Sequence, residues 1–401
     1  MRTLAFFLLT LAAATQAADW PQWRGPLRNG ISDENIAPSF PGNGPPVLWQ
    51  AAVGTGFSSM SVANSRLYTL GHEGEQDTVF CLDALTGKEV WKHSYPAELG
   101  DKYFEGGPTS TPTVSGGQVF TLSRWGDLFC FEAATGKIVW KKNIATELGA
   151  TVPDWGFAGS PLVHDDLLVL NVGENGTALD KNTGKLRWTS GPSESAGYST
   201  PLPYQRDGQW FATFSNVKGY LAVNLATGKP LWFFKWVTRY GINAADPIPS
   251  GDDFFISTGY GKGCALFKPG AEEPAVLWQN RELRSQMNPG VLIKGHVYGI
   301  DGDEGSKSEL KCLDLATGKV AWKTPCPKVG GLIAAQDKLI VLTGQGELSI
   351  AKASPDQYDT LATAQVLNGK CWTAPVLANG VLYCRNAEGK IVALDVKGAK
   401  N

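Results

Sequence analysis

One short phrase recurs along the chain and limits what it can fold into. It reads Cys-Leu-Asp-Ala-Leu-Thr-Gly-Lys-Glu-Val-Trp at residues 81–91 and Cys-Phe-Glu-Ala-Ala-Thr-Gly-Lys-Ile-Val-Trp at residues 130–140. Further copies end at Trp188, Trp232 and Trp322, and a decayed copy through Pro269-Gly270 ends at Trp278. Successive terminal tryptophans lie 44 to 49 residues apart, a period that belongs to propellers and solenoids. Before each turn, apolar and polar residues alternate as in a half-buried strand. The turn glycine supplies the positive φ of a tight hairpin. The tryptophan that follows is large enough to fill the space between neighbouring sheets. Ahead of each phrase, apolar runs at 113–122, 162–170, 253–257 and 291–300 carry another hairpin. Four strands per period without helical periodicity predict propeller blades.

The two ends of the chain fix the count. Six blades end at Trp91, Trp140, Trp188, Trp232, Trp278 and Trp322, and a seventh, lacking the tryptophan, runs over 332–366 with Gly344-Gln345-Gly346 as a turn. The last blade starts near Thr373 and stops at Asp395-Val396, with only three strands. Val47-Leu48-Trp49 looks like the end of a phrase with nothing before it to pair with. Docked outside the last blade, it closes the ring and removes an open edge. A seven-bladed ring would have to discard 332–366. The sequence therefore predicts an all-β, eight-bladed propeller of four-stranded antiparallel blades, closed by the N-terminal strand.

Three segments follow from this reading. Residues 1–18, with Arg2, an apolar run over 4–14 and a small-residue end at Ala17-Ala18, read as a signal peptide. Residues 19–46 read as a strap across the propeller with Trp20 and Trp23 buried against it, and 47–401 as one propeller domain. The apolar run is too short for a comfortable membrane span, and no cysteine near the cleavage region supports a lipid anchor. An exported monomer, periplasmic or extracellular, is expected. A formal charge of -2 implies no general attraction to nucleic acid.

The phrases and their tryptophans resemble the quinoprotein-like propellers, the repeat of pyrroloquinoline-quinone (PQQ) alcohol dehydrogenases and of an outer-membrane assembly scaffold. The likeness runs from Trp49 to Asp395. It is specific for architecture and weak for activity, because the signature lies in core and turn residues. The lead-in Trp20-Pro21-Gln22-Trp23-Arg24-Gly25-Pro26 looks like that of secreted proteins of the same type. The quinone enzymes often carry adjacent cysteines near the cofactor, and this chain has none.

Seven cysteines in an exported chain invite disulfides. Cys81, Cys130 and Cys312 share a slot with Ala178, Ala222, Ala265 and Ala393, so they read as packed free thiols. Cys384 aligns with Leu70 and Leu122, and Cys264 with Phe80 and Phe129. Cys326 and Cys371 fall in inter-blade loops and are expected to be the most exposed, with a Cys371–Cys384 bridge left open.

A four-stranded meander puts the Thr-Gly-Lys turns on one face and the middle hairpins and inter-blade loops on the other, around the axis where pockets form. That second face carries Arg124, Trp125, Asp154, Trp155, Glu174, Asn216, Arg239, Tyr240, Arg284 and Trp372 as binding candidates. Trp125, Trp155, Tyr240 and Trp372 are natural anchors for a protein, glycan or small molecule. No catalytic set and no metal site is assigned. His72, His93, His164 and His296 fall in different blades without ligand spacing, and Asp301-Gly302-Asp303-Glu304-Gly305 lacks the EF-hand pattern. The favoured function is a binding or scaffolding module. The alternative, carried by the resemblance, is a PQQ- and Ca²⁺-dependent dehydrogenase acting on an alcohol or sugar. There Glu174 with Asn216 would hold the cation, Asp154 or Asp301 act as base, Arg239 face the quinone and Trp155 form its platform.

Overall fold

The alternation in each repeat becomes a sheet, and eight such sheets follow one another in chain order. The computed structural model describes residues 18–191, 196–270, 273–305 and 307–397. The expected signal peptide, apart from Ala18, lies outside them. In blade one, Ser61–Ala63, Arg66–Glu73, Gln76–Asp83 and Glu89–Pro96 run from the axis outward. Blades two to seven repeat that meander, and blade seven, Gly331–Ala335 to Thr360–Gln365, keeps its four strands without the tryptophan. One short helix, Ile144–Leu148, sits between blades two and three. Among the described residues, no helix is long and apolar enough to cross a membrane.

Closure occurs where the mismatched ends predicted it. Val47–Ala52 pairs antiparallel with Lys390–Asp395, with Trp49 opposite Ala393, and completes blade eight. The segment before it does more than cross a face. Ile31–Ser32 adds a fifth, parallel strand inside blade seven, opposite Ala334 and Ala335. Trp20 bridges to Val62, and Ile36 to Lys397.

Neighbouring blades are fastened by the phrase itself. The Trp49 indole donates to the Ala84 carbonyl of the next blade at 2.9 Å, and Trp91 does the same to Ala133 at 2.9 Å. Trp140, Trp188, Trp278 and Trp322 repeat the contact to Lys181, Leu225, Leu315 and Ser354. Trp232 bonds instead to the Tyr204 hydroxyl, because the phrase in the next blade has decayed.

The register corrects three slot assignments. Trp278 faces Leu266, so Leu266 rather than Ala265 holds the Cys81 position, and Cys264 aligns with Val79 and Leu128. The lengthened turn of blade five shifts its strands by a residue against the sequence phrase. In blade eight Tyr383 faces Ala393, so Arg385, not Cys384, takes the position of Leu70 and Leu122. Cys384 is nonetheless fully buried. Cys326 and Cys371 are buried as well, against expectation: Cys326 lies not in a loop but at the end of the outer strand of blade six, opposite Ser308, and Cys371 packs into the apolar core with Leu348 and Cys384. All seven cysteines are free.

Candidate functional site

The innermost strands converge on the axis, and the residues leading into them line a central channel. A polar relay runs around its wall. Thr111 N–H donates to Ser160 Oγ at 2.9 Å, Ser160 N–H to Thr200 Oγ1 at 3.0 Å, and Thr200 N–H to Asp246 Oδ1 at 2.7 Å. Each of these residues precedes a proline, at Pro112, Pro161, Pro201 and Pro247, which holds the chain extended as it enters its blade. Sequence reading missed this set, although a polar residue followed by proline ahead of the inner strands of blades two to five was a legible signal.

The N-terminal segment plugs the channel. Arg24 is buried and donates to the carbonyls of Asn29, Pro289 and Gly290, at 2.8, 3.1 and 2.9 Å. Trp23 stands above it and donates its indole N–H to Asp246 Oδ2 at 2.7 Å. Burial raises the pKa of the Asp246 carboxyl, and Arg24 opposes that shift.

Above Trp23, on the loop-rich face, opens a cavity of about 160 Å³. Its wall is aromatic: Trp372 stacks on Phe57 at 5.0 Å, Phe57 meets Phe104 at 5.6 Å, and Phe104 meets Trp155 at 5.3 Å. Tyr198 and Tyr260 stand among the other lining residues. At the mouth, Lys370 lies 4.2 Å over the Trp372 ring and pairs with Glu105 and Glu304, each at 2.7 Å. That ion triad ties three loops together around the opening.

The predicted residues divide sharply against this geometry. Trp155 and Trp372 line the cavity. Arg124 is buried behind it, 5.0 Å from the Phe104 ring, and Trp125 is half-buried in a separate cleft with its N–H on the Glu98 carbonyl. Asp154 is exposed beside Trp155. Glu174 pairs with Lys218 at 3.0 Å, and Asn216 is buried with its side-chain oxygen accepting from the amides of Lys218 and Gly219. The Arg284 guanidinium grips Asp301 through two hydrogen bonds of 2.9 and 2.7 Å, its backbone N–H adds a third at 2.8 Å, and Lys311 a fourth at 2.9 Å. Burial works against ionisation of Asp301, yet those donors hold its pKa below the ordinary value. Arg239 and Tyr240 are exposed, the guanidinium 5.2 Å from the ring, and Arg239 lines a neighbouring cleft.

This arrangement does not fit PQQ. The quinone carries carboxylates, whereas the cavity lining includes Asp246 and Glu304 and no lysine or arginine. Glu174, Asn216 and Asp301 lie outside that lining. Their oxygens are occupied by Lys218, by turn amides and by the Arg284–Lys311 pair. Among the described residues no group of three or more His, Cys, Asp or Glu side chains is placed to hold a metal ion.

The model of the family described as outer membrane protein assembly factor BamB matches residues 75–324, more than half of the chain. The chain belongs to the BamB family. It is 26% identical over 364 residues to the outer membrane protein assembly factor BamB of Burkholderia pseudomallei, covering 86% of each chain. The BamB crystal structure from Moraxella catarrhalis superposes with a TM-score of 0.63 at 14% identity, over 88% of this chain and 99% of that one. The quinohemoprotein alcohol dehydrogenase of Comamonas testosteroni superposes with a TM-score of 0.68 at 14% identity, over 96% of this chain and 81% of its own. At such identities the two structures share the BamB-type fold with this chain and nothing further follows from them.

Proposed function

We propose that this BamB-family chain is an exported binding module that engages its ligand or partner at the central cavity of the loop-rich face. One observation carries the reading: consecutive blades and the N-terminal plug together build a small, floored, aromatic-walled cavity. Such concave apolar sites with a few placed polar groups are the default location for recognition. A protein loop, a glycan or a small molecule is the kind of partner in view. Kinship with BamB supports export, and N-terminal sequencing of the mature protein tests the proposed signal peptide by a start at Ala18 or Asp19.

The decisive experiment starts with capture of partners and with glycan and small-molecule screening on the purified protein. Calorimetry of alanine variants on the two faces follows. Trp155→Ala and Trp372→Ala should each cost roughly 2 kcal/mol of binding. Lys88→Ala, Lys137→Ala and Lys319→Ala, on the turn face, should cost nothing measurable. The reverse pattern on folded variants defeats the assignment.

A further inference from the structure

A second cleft opens on the loop-rich face beside the cavity, with a volume of about 380 Å³. Arg239 reaches it from the loop after blade four, Lys262 from the middle hairpin of blade five, and Arg281 from the loop after blade five. Its lining contains no aspartate or glutamate. That sets it apart from the rest of the face, where Lys218 pairs with Glu174, Arg284 with Asp301, and Lys370 with Glu105 and Glu304. Lys262 is also held in place, 4.5 Å from the buried Trp236 ring. Burial lowers its pKa, and the nearby Arg281 adds to that effect. Like charges gathered without a counter-ion repel one another, and a bound anion relieves the repulsion. Tyr260 lines both this cleft and the cavity, so it is the wall between them.

We propose that the cleft formed by Arg239, Lys262 and Arg281 binds a multiply charged oxyanion group, a phosphate or a cluster of carboxylates. Two guanidinium forks match paired oxygens, and the lysine supplies a point charge. The site stands independently of the cavity reading, since neither Trp23 nor Trp372 lines it.

Calorimetry on the full mature protein at low salt, with inorganic pyrophosphate and citrate as probes, tests the proposal. Saturable binding of at least one probe is expected, weakening as sodium chloride is raised. Pyrophosphate alone marks a phosphate site, citrate alone a carboxylate site. Lys262→Gln and Arg281→Gln should each weaken binding about tenfold with unchanged melting, and Lys88→Gln on the opposite face should leave it intact. Trp236 fluorescence gives a second readout, because Lys262 sits over that ring. Absence of saturation by both probes, or equal affinity in the Lys262→Gln, Arg281→Gln double variant, overturns it.

Discussion

Arg385 occupies a position where blades one and two place Leu70 and Leu122, and it is fully buried. Burial pulls its pKa down to about 9, yet its donors reach the carbonyls of Gly54, Ser58 and Leu70 and the Thr69 hydroxyl. The corresponding residues Asn171, Ser215 and Ser257 likewise donate to the chain entering the next blade, at Ser199, Asn243 and Leu283. Arg385 thus clips the last blade to the first. Arg385→Leu should lose roughly 3 kcal/mol or more, because buried acceptors are left without donors. A denaturation midpoint equal to that of the parent refutes that account. The thiols give a second test at this scale. Burial raises Cys81 and Cys312 to about 11 and Cys130 to about 12. All three should resist native thiol labelling and react only in denaturant; rapid native labelling overturns the assignment. Their burial was legible because alanine fills the same slot at Ala178, Ala222 and Ala393. The roles of Arg385 and Cys384 were not, because a one-residue shift of register moves each side chain to the opposite face of the strand.

The Thr-Gly-Lys turn explains itself at the scale of the element. Gly87 has φ +69, and a Cβ there would lie 2.6 Å from the Trp49 ring of the preceding blade. The turn therefore needs glycine twice, for the hairpin and for the seat of a neighbour's tryptophan. Gly87→Ala should lower the melting temperature clearly, whereas Gly74→Ala, with open space around it at φ +63, pays only the backbone strain. Equal melting of the two variants removes the seating argument. The cap residue gives a pH test. Asp83 accepts from the Thr86 hydroxyl and amide, and these bonds hold its pKa below 3.8; Asp180 and Asp314 are held the same way by Thr183 and Thr317. A depressed carboxylate contributes stability that is present above its unfolded pKa and lost as pH falls through its folded one. Blade four already makes this cap with Asn224. Replacing Asp83, Asp180 and Asp314 together by Asn should keep the turns and shallow the acid limb of the stability profile below about pH 4. An acid limb as steep as that of the parent contradicts it.

For the whole molecule, ring closure was the most legible feature, because an orphan Val47-Leu48-Trp49 and a blade short of one strand state the same fact twice. The channel plug was less legible. Trp20 and Trp23 were visible as anchors, but which carbonyls Arg24 would reach depends on loops far away in sequence. The cavity was legible only in part, since Trp155 and Trp372 reach it while Trp125 lines a separate cleft. Deletion through Trp49 should open the seam at blade eight and leave a tryptophan-sized hole, a loss of roughly 3–5 kcal/mol for the cavity alone. A thermal melt equal to that of the parent after the deletion defeats the closure account. The closure also sets an order in time. Synthesis delivers residues 47–52 before any of the blades and residues 390–395 after all of them, so the first strand has no partner until the last one exists. Until then the newborn chain holds an apolar edge at each end of an open arc, the state in which strand edges find wrong neighbours. The seam that stabilises the finished ring is therefore the place where an unfinished chain most needs protection.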